Sequence, residues 1–236
     1  MNPEFFNDSE TINYSLTPEF RVHFCNSASC TPENALETVE GFFNIPIYVS
    51  GMARGLLSVQ NLSIFRHDRK SALTEADLVI LAGVPCDFRL DYGRHINRNA
   101  KLISVNISRN ELFQNRTPNL AIQHHSGNFL IEASKSILSR NRKSWFDQLK
   151  KKNIQKEATI ESRSQEKTEK VNPLKLFSNL NYFLSDGDII VADGGDFVAT
   201  ASYILRPKSM RGWLDPGVFG TLGMGAGFII GARLSQ

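Results

Sequence analysis

The run ADLVILAGVP at residues 76–85 decides the fold class of this chain of 236 residues. It is apolar almost throughout, with one aspartate near its start and a glycine and a proline close to its end. A β-strand that is buried on both faces has this composition, and such strands occur in parallel sheets that are covered by helices. The run therefore predicts an inner strand of an α/β sheet.

Shorter apolar runs on either side of it predict four further strands, at residues 21–25, 45–51, 101–108 and 120–124. The polar segments between the runs suit helices. In TPENALETVEGF, at residues 31–42, Thr31 is a suitable N-cap and Pro32 suits the first helical position. GNFLIEASKSILSR, at residues 127–140, predicts another helix. Strands that alternate with helices predict a parallel sheet in an α/β architecture.

The composition is that of a soluble globular protein and excludes several functional classes. Hydrophobic residues make up 41%, charged residues 22%, and the net charge is only +3. So small a charge does not indicate a nucleic acid or a membrane surface as partner. The three cysteines fit a reducing compartment better than a disulfide framework. No cysteine–histidine spacing resembles a zinc site, and the neighbouring His124 and His125 would point to opposite faces of a strand.

A second α/β unit is predicted after a change of composition. Residues 141–170 are dense in charge, and their interspersed glutamates favour a solvated helix and linker over a lysine-rich binding patch. Beyond them, the sequence predicts a helix, a strand that ends in glycines, a helix, a loop and a last helix. These elements lie at residues 172–184, 187–196, 197–205, 206–220 and 225–234.

Two glycine clusters at predicted helix starts are the candidate functional features. Gly194 and Gly195 end a strand, where open α/β sheets bind their ligands, and bare N–H groups at a helix start suit a phosphate. A second cluster, at residues 220–227, opens the last helix. It is not a dinucleotide fingerprint, because Pro216 and Gly217 oppose a strand directly before it and no acidic residue follows about 20 positions later. The two clusters could hold a diphosphate and a flat ring together; tight helix packing is the alternative for the second.

The same strings carry a resemblance to a known family. GDIIVADGGDFVATASYILRP and WLDPGVFGTLGMGAGFIIGA resemble the beginning of the diphosphate-binding domain of thiamine-diphosphate-dependent enzymes. GMARGLLS, RKSALTEADLVILAGVPCDFRLDYGR and KLISVNISRNEL resemble the central domain of that family. The resemblance implies an α/β fold with a Rossmann-like central domain around a parallel sheet, followed by a truncated α/β thiamine-diphosphate-binding domain.

The resemblance also implies a domain organisation. Residues 1–44 match poorly and contain the start of the central domain, which occupies residues 45–140. Residues 141–170 form the charged linker, and residues 171–236 are the beginning of the thiamine-diphosphate-binding domain.

Six cofactor-binding residues follow from the resemblance. Those expected to contact the diphosphate are Gly194, Gly195 and Asp196, and those expected to support the aminopyrimidine ring are Thr221, Leu222 and Gly223. Leu222 stands where many family members carry a methionine. Two alternatives concern these residues: Leu222 could pack in a core, and Asp196 could be a helix N-cap. Asp193 is expected to be a strand-end residue and not a catalytic one.

The resemblance places the remaining machinery outside this sequence. Family members use a glutamate from an N-terminal pyrimidine-binding domain and a Gly-Asp-Gly…Asn segment that ligates Mg²⁺, and neither is found in the 236 residues. We therefore expect no catalytic residue and no metal ligand in this chain, and no turnover by the chain alone. The implied cofactors are thiamine diphosphate and Mg²⁺.

The implied function is that of a fragment of a carbon–carbon lyase. Within the family, the strings are similar to the acetolactate synthase-like branch, also described as 2-hydroxyacyl-CoA lyases, so that the substrate would be a 2-hydroxyacyl-CoA or a 2-oxoacid. The alternative is a non-catalytic short form that binds a nucleotide or pairs with full-length subunits, since family members are homo-oligomers. FAD or the nucleotide of CoA could bind the central domain. Four arginines there could serve phosphates, although solvated surface side chains are the favoured interpretation: Arg54, Arg66, Arg69 and Arg94.

The sequence gives no indication of location. Residues 1–15 lack the basic run and apolar core of a signal peptide. No apolar run reaches the roughly 20 residues that a membrane span needs. The full-length animal members of the family lie at the endoplasmic reticulum membrane.

Overall fold

A computed structural model describes residues 20–25, 45–55, 63–136, 143–209 and 212–235. The predicted helix at residues 31–42 lies outside these ranges. The first unit of the fold is a sheet of five parallel strands, β1 (Phe20–Cys25), β2 (Ile47–Ser50), β3 (Leu78–Ala82), β4 (Lys101–Asn106) and β5 (Leu120–Gln123). Each coincides with a predicted strand, and the predicted α/β class with a parallel sheet is confirmed.

The strands are arranged in the order β2-β1-β3-β4-β5. The chain goes from β1 to β2 on one side and then crosses back to β3 on the other side of β1. The carboxyl ends of β1 and β3 therefore form a topological switch point, and ligands of open α/β sheets bind along this edge. Strand β3 is buried at every position, as its continuous apolar sequence predicted. Its side chains share a core with neighbours such as Leu73, Leu90 and Leu102.

Seven α-helices lie within the described residues. They are α1 (Arg69–Glu75), α2 (Arg109–Leu112), α3 (Ser126–Ser136), α4 (Lys143–Ser164), α5 (Pro173–Phe183), α6 (Asp196–Ile204) and α7 (Gly225–Leu234). Asn172 caps α5 by accepting from the N–H groups of Leu174 and Lys175, and Pro173 is its first residue. None of these helices is long and apolar enough to cross a bilayer.

Helix α4, from the charged segment, connects the two units by contacts at both of its ends. At its start, Trp145 and Phe146 are buried in a cluster that includes Phe65, whose ring meets Phe146 edge-on at 5.1 Å. Further along, the Glu157 carboxylate accepts from Arg206 at 2.6 Å and lies 3.0 Å from His67 Nε2. Burial raises the pKa of Glu157, but the hydrogen bond from His67 and the charge of Arg206 outweigh it and lower the pKa. The helix thus fastens the second unit to the first.

The second unit is built on a pair of short parallel strands, β6 (Ile190–Val191) and β7 (Trp213–Leu214). Helices α5, α6 and α7 belong to the same unit. The prediction of a loop over residues 206–220 is wrong at β7. Trp213 is fully buried, and the strand pairs with β6 through backbone hydrogen bonds such as Ala192 N–H to the Leu214 carbonyl, 2.9 Å. A strand of two residues is too short for any periodic pattern to reveal.

Cys86, just beyond β3, gives a first testable prediction. Burial raises the pKa of its thiol to about 11 against the opposing charge of Arg116. Because only the thiolate reacts, alkylation of Cys86 at pH 8 should be about 100-fold slower in the folded chain than in the denatured chain. Iodoacetamide labelling followed by mass spectrometry of the Cys86 peptide measures this. The folded-state rate should rise about tenfold per pH unit up to about pH 10; equal rates in the two states would contradict the burial of Cys86.

Candidate functional site

The two glycine clusters form two turns that touch each other. The first turn links β6 to α6, and the second lies between Gly217–Phe219, a single turn of 3₁₀-helix, and α7. A Cβ atom added to Gly194 would lie 2.6 Å from the carbonyl oxygen of Gly220 and 3.0 Å from that of Thr221. Only glycine allows the backbones to approach so closely. The structure thus brings together the two clusters that the sequence singled out.

The start of α6 offers free backbone donors. Its N-cap is Gly195, with φ 88° and ψ −164°, a conformation that is essentially restricted to glycine, and no side chain caps the helix. Asp196 is the first residue of the helix, so the alternative that Asp196 is the N-cap is wrong. The first N–H groups of a helix have no partner within it, and they carry the positive end of the helix dipole. This helix start is therefore suited to an anion.

The start of α7 is different, because a carboxylate of the protein already binds it. Asp193 follows β6, and its Oδ1 accepts from the N–H groups of Gly194 at 2.8 Å and Gly223 at 3.0 Å. Hydrogen bonds from Gly194, and then from Gly225, Gly223 and Met224, hold the pKa of Asp193 below its usual value. Asp193 thus already binds donors at the second helix start, and support of a flat ring by Thr221, Leu222 and Gly223 stays a prediction. Asp193 is a strand-end residue, as predicted, but its role in joining the turns was missed.

Asp193 gives a second prediction. Asp193→Asn should speed amide hydrogen exchange at Gly223 by about tenfold, because the charge-assisted acceptor is lost. Asp186→Asn, another exposed carboxylate of the same unit, is the control and should change nothing. Since the pKa of Asp193 is lower in the folded chain, its contribution is present above the unfolded-state value and is lost as the pH falls through the folded-state value. Unchanged amide hydrogen exchange at Gly223 in Asp193→Asn would contradict the hydrogen bond between Gly223 and Asp193.

The other predicted residues line the contact between the turns. Leu222 is 73% exposed, so the alternative that it packs in a core is wrong. Its Cδ2 lies 3.7 Å from where a Cβ of Gly195 would be, which places an apolar side chain directly over the glycine pair. Thr221 precedes it in the same turn, and Gly223 has φ +87° and gives its N–H to Asp193. The exposed apolar side chain of Leu222 therefore lies next to the free N–H groups at the start of α6.

The four arginines that were candidates for phosphate binding contact protein groups. Arg54 pairs with Asp215 at 3.4 Å and Arg94 pairs with Asp91 at 2.6 Å. The other two donate to backbone carbonyls, Arg66 to that of Leu205 and Arg69 to that of Arg89. Burial, and secondly the charge of Arg206, lowers the pKa of Arg66 to about 9.

A cavity of about 520 Å³ lies instead at the carboxyl edge of the five-stranded sheet. Its polar lining includes Asp87, Arg89, Asn106, Ser108 and His125, and Phe88 and Phe219 supply aromatic surface. Phe219 comes from the 3₁₀ turn that precedes Gly220, so the cavity reaches the second unit. Arg89 and Asp87 are joined by a bidentate ion pair with contacts of 2.6 and 3.0 Å. Such a volume and lining suit a small-molecule ligand.

No cluster of three or more histidine, cysteine, aspartate or glutamate side chains within the described ranges could hold a metal ion.

Comparisons with known proteins agree with the family resemblance that the sequence shows. The family model for the central domain of thiamine pyrophosphate enzymes matches residues 30–132. A 2-hydroxyacyl-CoA lyase 2 of Danio rerio is 43% identical over 212 residues, which are 87% of this chain and 34% of the relative. The human protein of that name is 37% identical over 219 residues, 89% of this chain and 35% of the relative.

A more distant relative has a different activity in its name. The acetolactate synthase large subunit of Mycobacterium tuberculosis is 29% identical over 204 residues, which are 82% of this chain and 35% of the relative. The chain thus spans about a third of the length of the curated relatives it matches.

Proposed function

Because this chain belongs to the thiamine pyrophosphate enzyme family through its central domain, we propose that its second unit binds thiamine diphosphate at the two touching glycine turns. Gly194, Gly195 and Asp196 would face the diphosphate, and Thr221, Leu222 and Gly223 would face the aminopyrimidine ring. The observation that carries the proposal is the uncapped start of α6 beside the bare Gly194–Gly195 backbone. The proposed boundaries are residues 1–44 for a segment that contains the start of the central domain, 45–140 for the rest of that domain, 141–170 for the linker and 171–236 for the cofactor unit.

The chemistry of these residues fits that cofactor. Free N–H groups at the start of α6 can donate to phosphate oxygens, and no side chain of Gly194 or Gly195 obstructs their approach. The exposed Leu222 offers an apolar surface against which a flat ring can rest. When bound, thiamine diphosphate supplies an electron sink for cleaving or forming a bond next to a carbonyl carbon. The chain's own part is to bind and orient the cofactor.

Calorimetric titration of the full chain with thiamine diphosphate, in the presence of Mg²⁺, tests this proposal. We expect saturable binding of thiamine diphosphate, and binding of thiamine that is at least about tenfold weaker, because thiamine lacks the charged groups that meet the α6 donors. Equal affinity for the two would contradict the placement of the diphosphate, and absence of binding would contradict the proposed function itself.

We further propose that the chain represents part of a thiamine-diphosphate- and Mg²⁺-dependent lyase that acts on a 2-hydroxyacyl-CoA. The names of relatives that are 43% and 37% identical support this substrate class, and an acetolactate synthase among the relatives supports 2-oxoacids as the second choice. The 236-residue chain should show no turnover by itself. A coupled assay for formyl-CoA, with 2-hydroxyacyl-CoA, cofactor and Mg²⁺, measures this, and product formation by the purified chain would contradict the proposal that catalysis needs further residues.

A second candidate function is nucleotide binding in the cavity at the carboxyl edge of the sheet. Phe88 is 56% exposed at this cavity, where its ring could stack on a base, and the cavity extends to Phe219 next to the second glycine turn. The nucleotide of CoA could thus bind while its acyl end reaches the turns; FAD is the other choice.

Phe88→Ala should weaken ADP binding roughly tenfold, because a base–aromatic stack is lost. Phe113→Ala, which removes an exposed ring that does not line the cavity, is the control. Equal ADP affinity in both variants would contradict this candidate.

Pairing with further subunits is supported by exposed apolar side chains of the second unit. Tyr182 and Phe183 on α5 and Ile230 and Leu234 on α7 are all more than 60% exposed. Large exposed apolar patches mark interaction sites. Sedimentation velocity over a range of concentrations tests whether the chain associates.

A further inference from the structure

The segment Gly51–Gly55 of the first unit packs directly against the second. It is a 3₁₀ turn that follows β2 and contacts β7. A Cβ atom on Gly55 would collide with the carbonyl oxygen of Ser209 and would lie 3.2 Å from the backbone nitrogen of Gly212. The sequence GMARG is therefore a docking segment between the units.

Arg54 is at the centre of this contact. Its Nη1 lies 3.4 Å from Asp215 Oδ2, and its guanidinium stands over the ring of Trp213, 5.3 Å from the centroid. Trp213 Nε1 donates to the same carboxylate oxygen at 2.7 Å. Arg54, Trp213 and Asp215 thus form a closed triangle in which each side chain contacts the other two.

The second oxygen of Asp215 continues the connection toward the glycine turns. Asp215 Oδ1 accepts from the N–H of Gly217 at 2.8 Å. Gly217 is the first residue of the 3₁₀ turn Gly217–Phe219. Gly220 follows immediately, and its carbonyl oxygen is the atom nearest to the missing Cβ of Gly194. A chain of hydrogen bonds and one short turn therefore runs from Arg54 to the place where the two glycine clusters meet.

We propose that Arg54 is a positioning residue, which fixes the cofactor turn at residues 220–223 through Asp215, an inference that rests on the proposed function of that turn. The side chains of Arg54 and Asp215 are only 21% and 10% exposed, so that water replaces their interaction poorly. Removing the arginine would leave a largely buried carboxylate with one cationic partner fewer. Asp215 would then be held less firmly, by Trp213 Nε1 and the Gly217 N–H, and the start of the turn would loosen.

Amide hydrogen exchange of the full chain without ligand is the first test. Arg54→Met removes the charge and keeps the length of the side chain. It should speed exchange in residues 217–223 about tenfold, and Arg54→Lys should restore part of the protection. Arg94→Met is the matched control, because the ion pair of Arg94 with Asp91 lies within the first unit. Exchange in β3 and β4 should stay unchanged in all three variants.

A double-mutant cycle tests whether the effect passes through Asp215. Asp215→Asn should speed the same exchange, and adding Arg54→Met to it should cause little further change. Fully additive effects would overturn the proposed route. Equal acceleration in β3 and β4 would also overturn the inference, because Arg54 would then be a general structural residue.

The affinity for thiamine diphosphate is the second readout. Arg54→Met should raise the dissociation constant about tenfold in the presence of Mg²⁺. If the unmodified chain binds no thiamine diphosphate, the proposed function fails, while amide exchange still decides the role of Arg54. If the unmodified chain binds it and Arg54→Met changes neither affinity nor exchange, the inference about Arg54 is overturned and the proposed function stands.

Discussion

Trp213→Ala is expected to destabilise the second unit by about 3–5 kcal/mol, which is the usual cost of truncating a large aromatic side chain in a core. Trp213 is the largest fully buried side chain of the described residues. It lies in a cluster with Phe177, Ile190, Ile204 and Leu205. Within the described residues, the sheet of this unit has two short strands, so that few other apolar contacts can compensate for the cavity.

Urea unfolding followed by circular dichroism and by amide exchange measures the effect. In Trp213→Ala, helices α6 and α7 should lose protection at much lower urea than β3 and β4, which belong to a separate core. Tyr182→Ala is the control, because Tyr182 is 85% exposed in the same unit and should change stability by less than about 0.5 kcal/mol. Trp213→Phe should cost less than Trp213→Ala because a ring is kept, although the donor to Asp215 is lost in both variants. A loss below about 1 kcal/mol in Trp213→Ala would contradict the central place of Trp213 in this core.

Strand β3 of the five-stranded sheet could be predicted because burial on both faces leaves a direct mark on composition. Strand β3 is apolar at every position and buried at every position. Strand β7 shows why the second unit could not be predicted equally well. It has two residues, Asp215 and Pro216 follow it, and its hydrogen bonds with β6 join positions about 23 residues apart. Pairing at that distance depends on how the intervening helix α6 packs, and no local pattern records it.

The candidate site likewise contains features that the sequence predicts and contacts that it does not. The glycine clusters were visible, because repeated glycine at the start of a helix is a local signal. The contacts of Asp193 with Gly223 and of Arg54 with Asp215 were not, since the residues are 30 and 161 positions apart. An aspartate directly before two glycines was the available hint for the first. For the second, the neighbouring Trp213 and Asp215 gave no indication that an arginine of the other unit would complete the group.

Gly194→Ala is expected to cost about 2 kcal/mol of stability in the second unit and to weaken thiamine diphosphate binding by at least about tenfold. The added Cβ would lie 2.6 Å from the Gly220 carbonyl oxygen and 3.0 Å from that of Thr221. Both are backbone atoms, so no side-chain rotation can relieve the contact. The two turns would have to move apart, and the turn that carries Leu222 would withdraw from the start of α6.

Gly227→Ala is the matched control for this variant. Gly227 lies in α7, and nothing stands within 4 Å of its added Cβ. Because alanine is the better helix former, Gly227→Ala should stabilise α7 by about 0.5–1 kcal/mol and leave cofactor affinity unchanged. Since both variants add one methyl group to the same unit, a loss confined to Gly194→Ala comes from the surroundings of Gly194, where the turns meet and the diphosphate would approach. A Gly194→Ala chain with unchanged stability and unchanged affinity would contradict that contact, and with it the placement of the cofactor between the two glycine clusters.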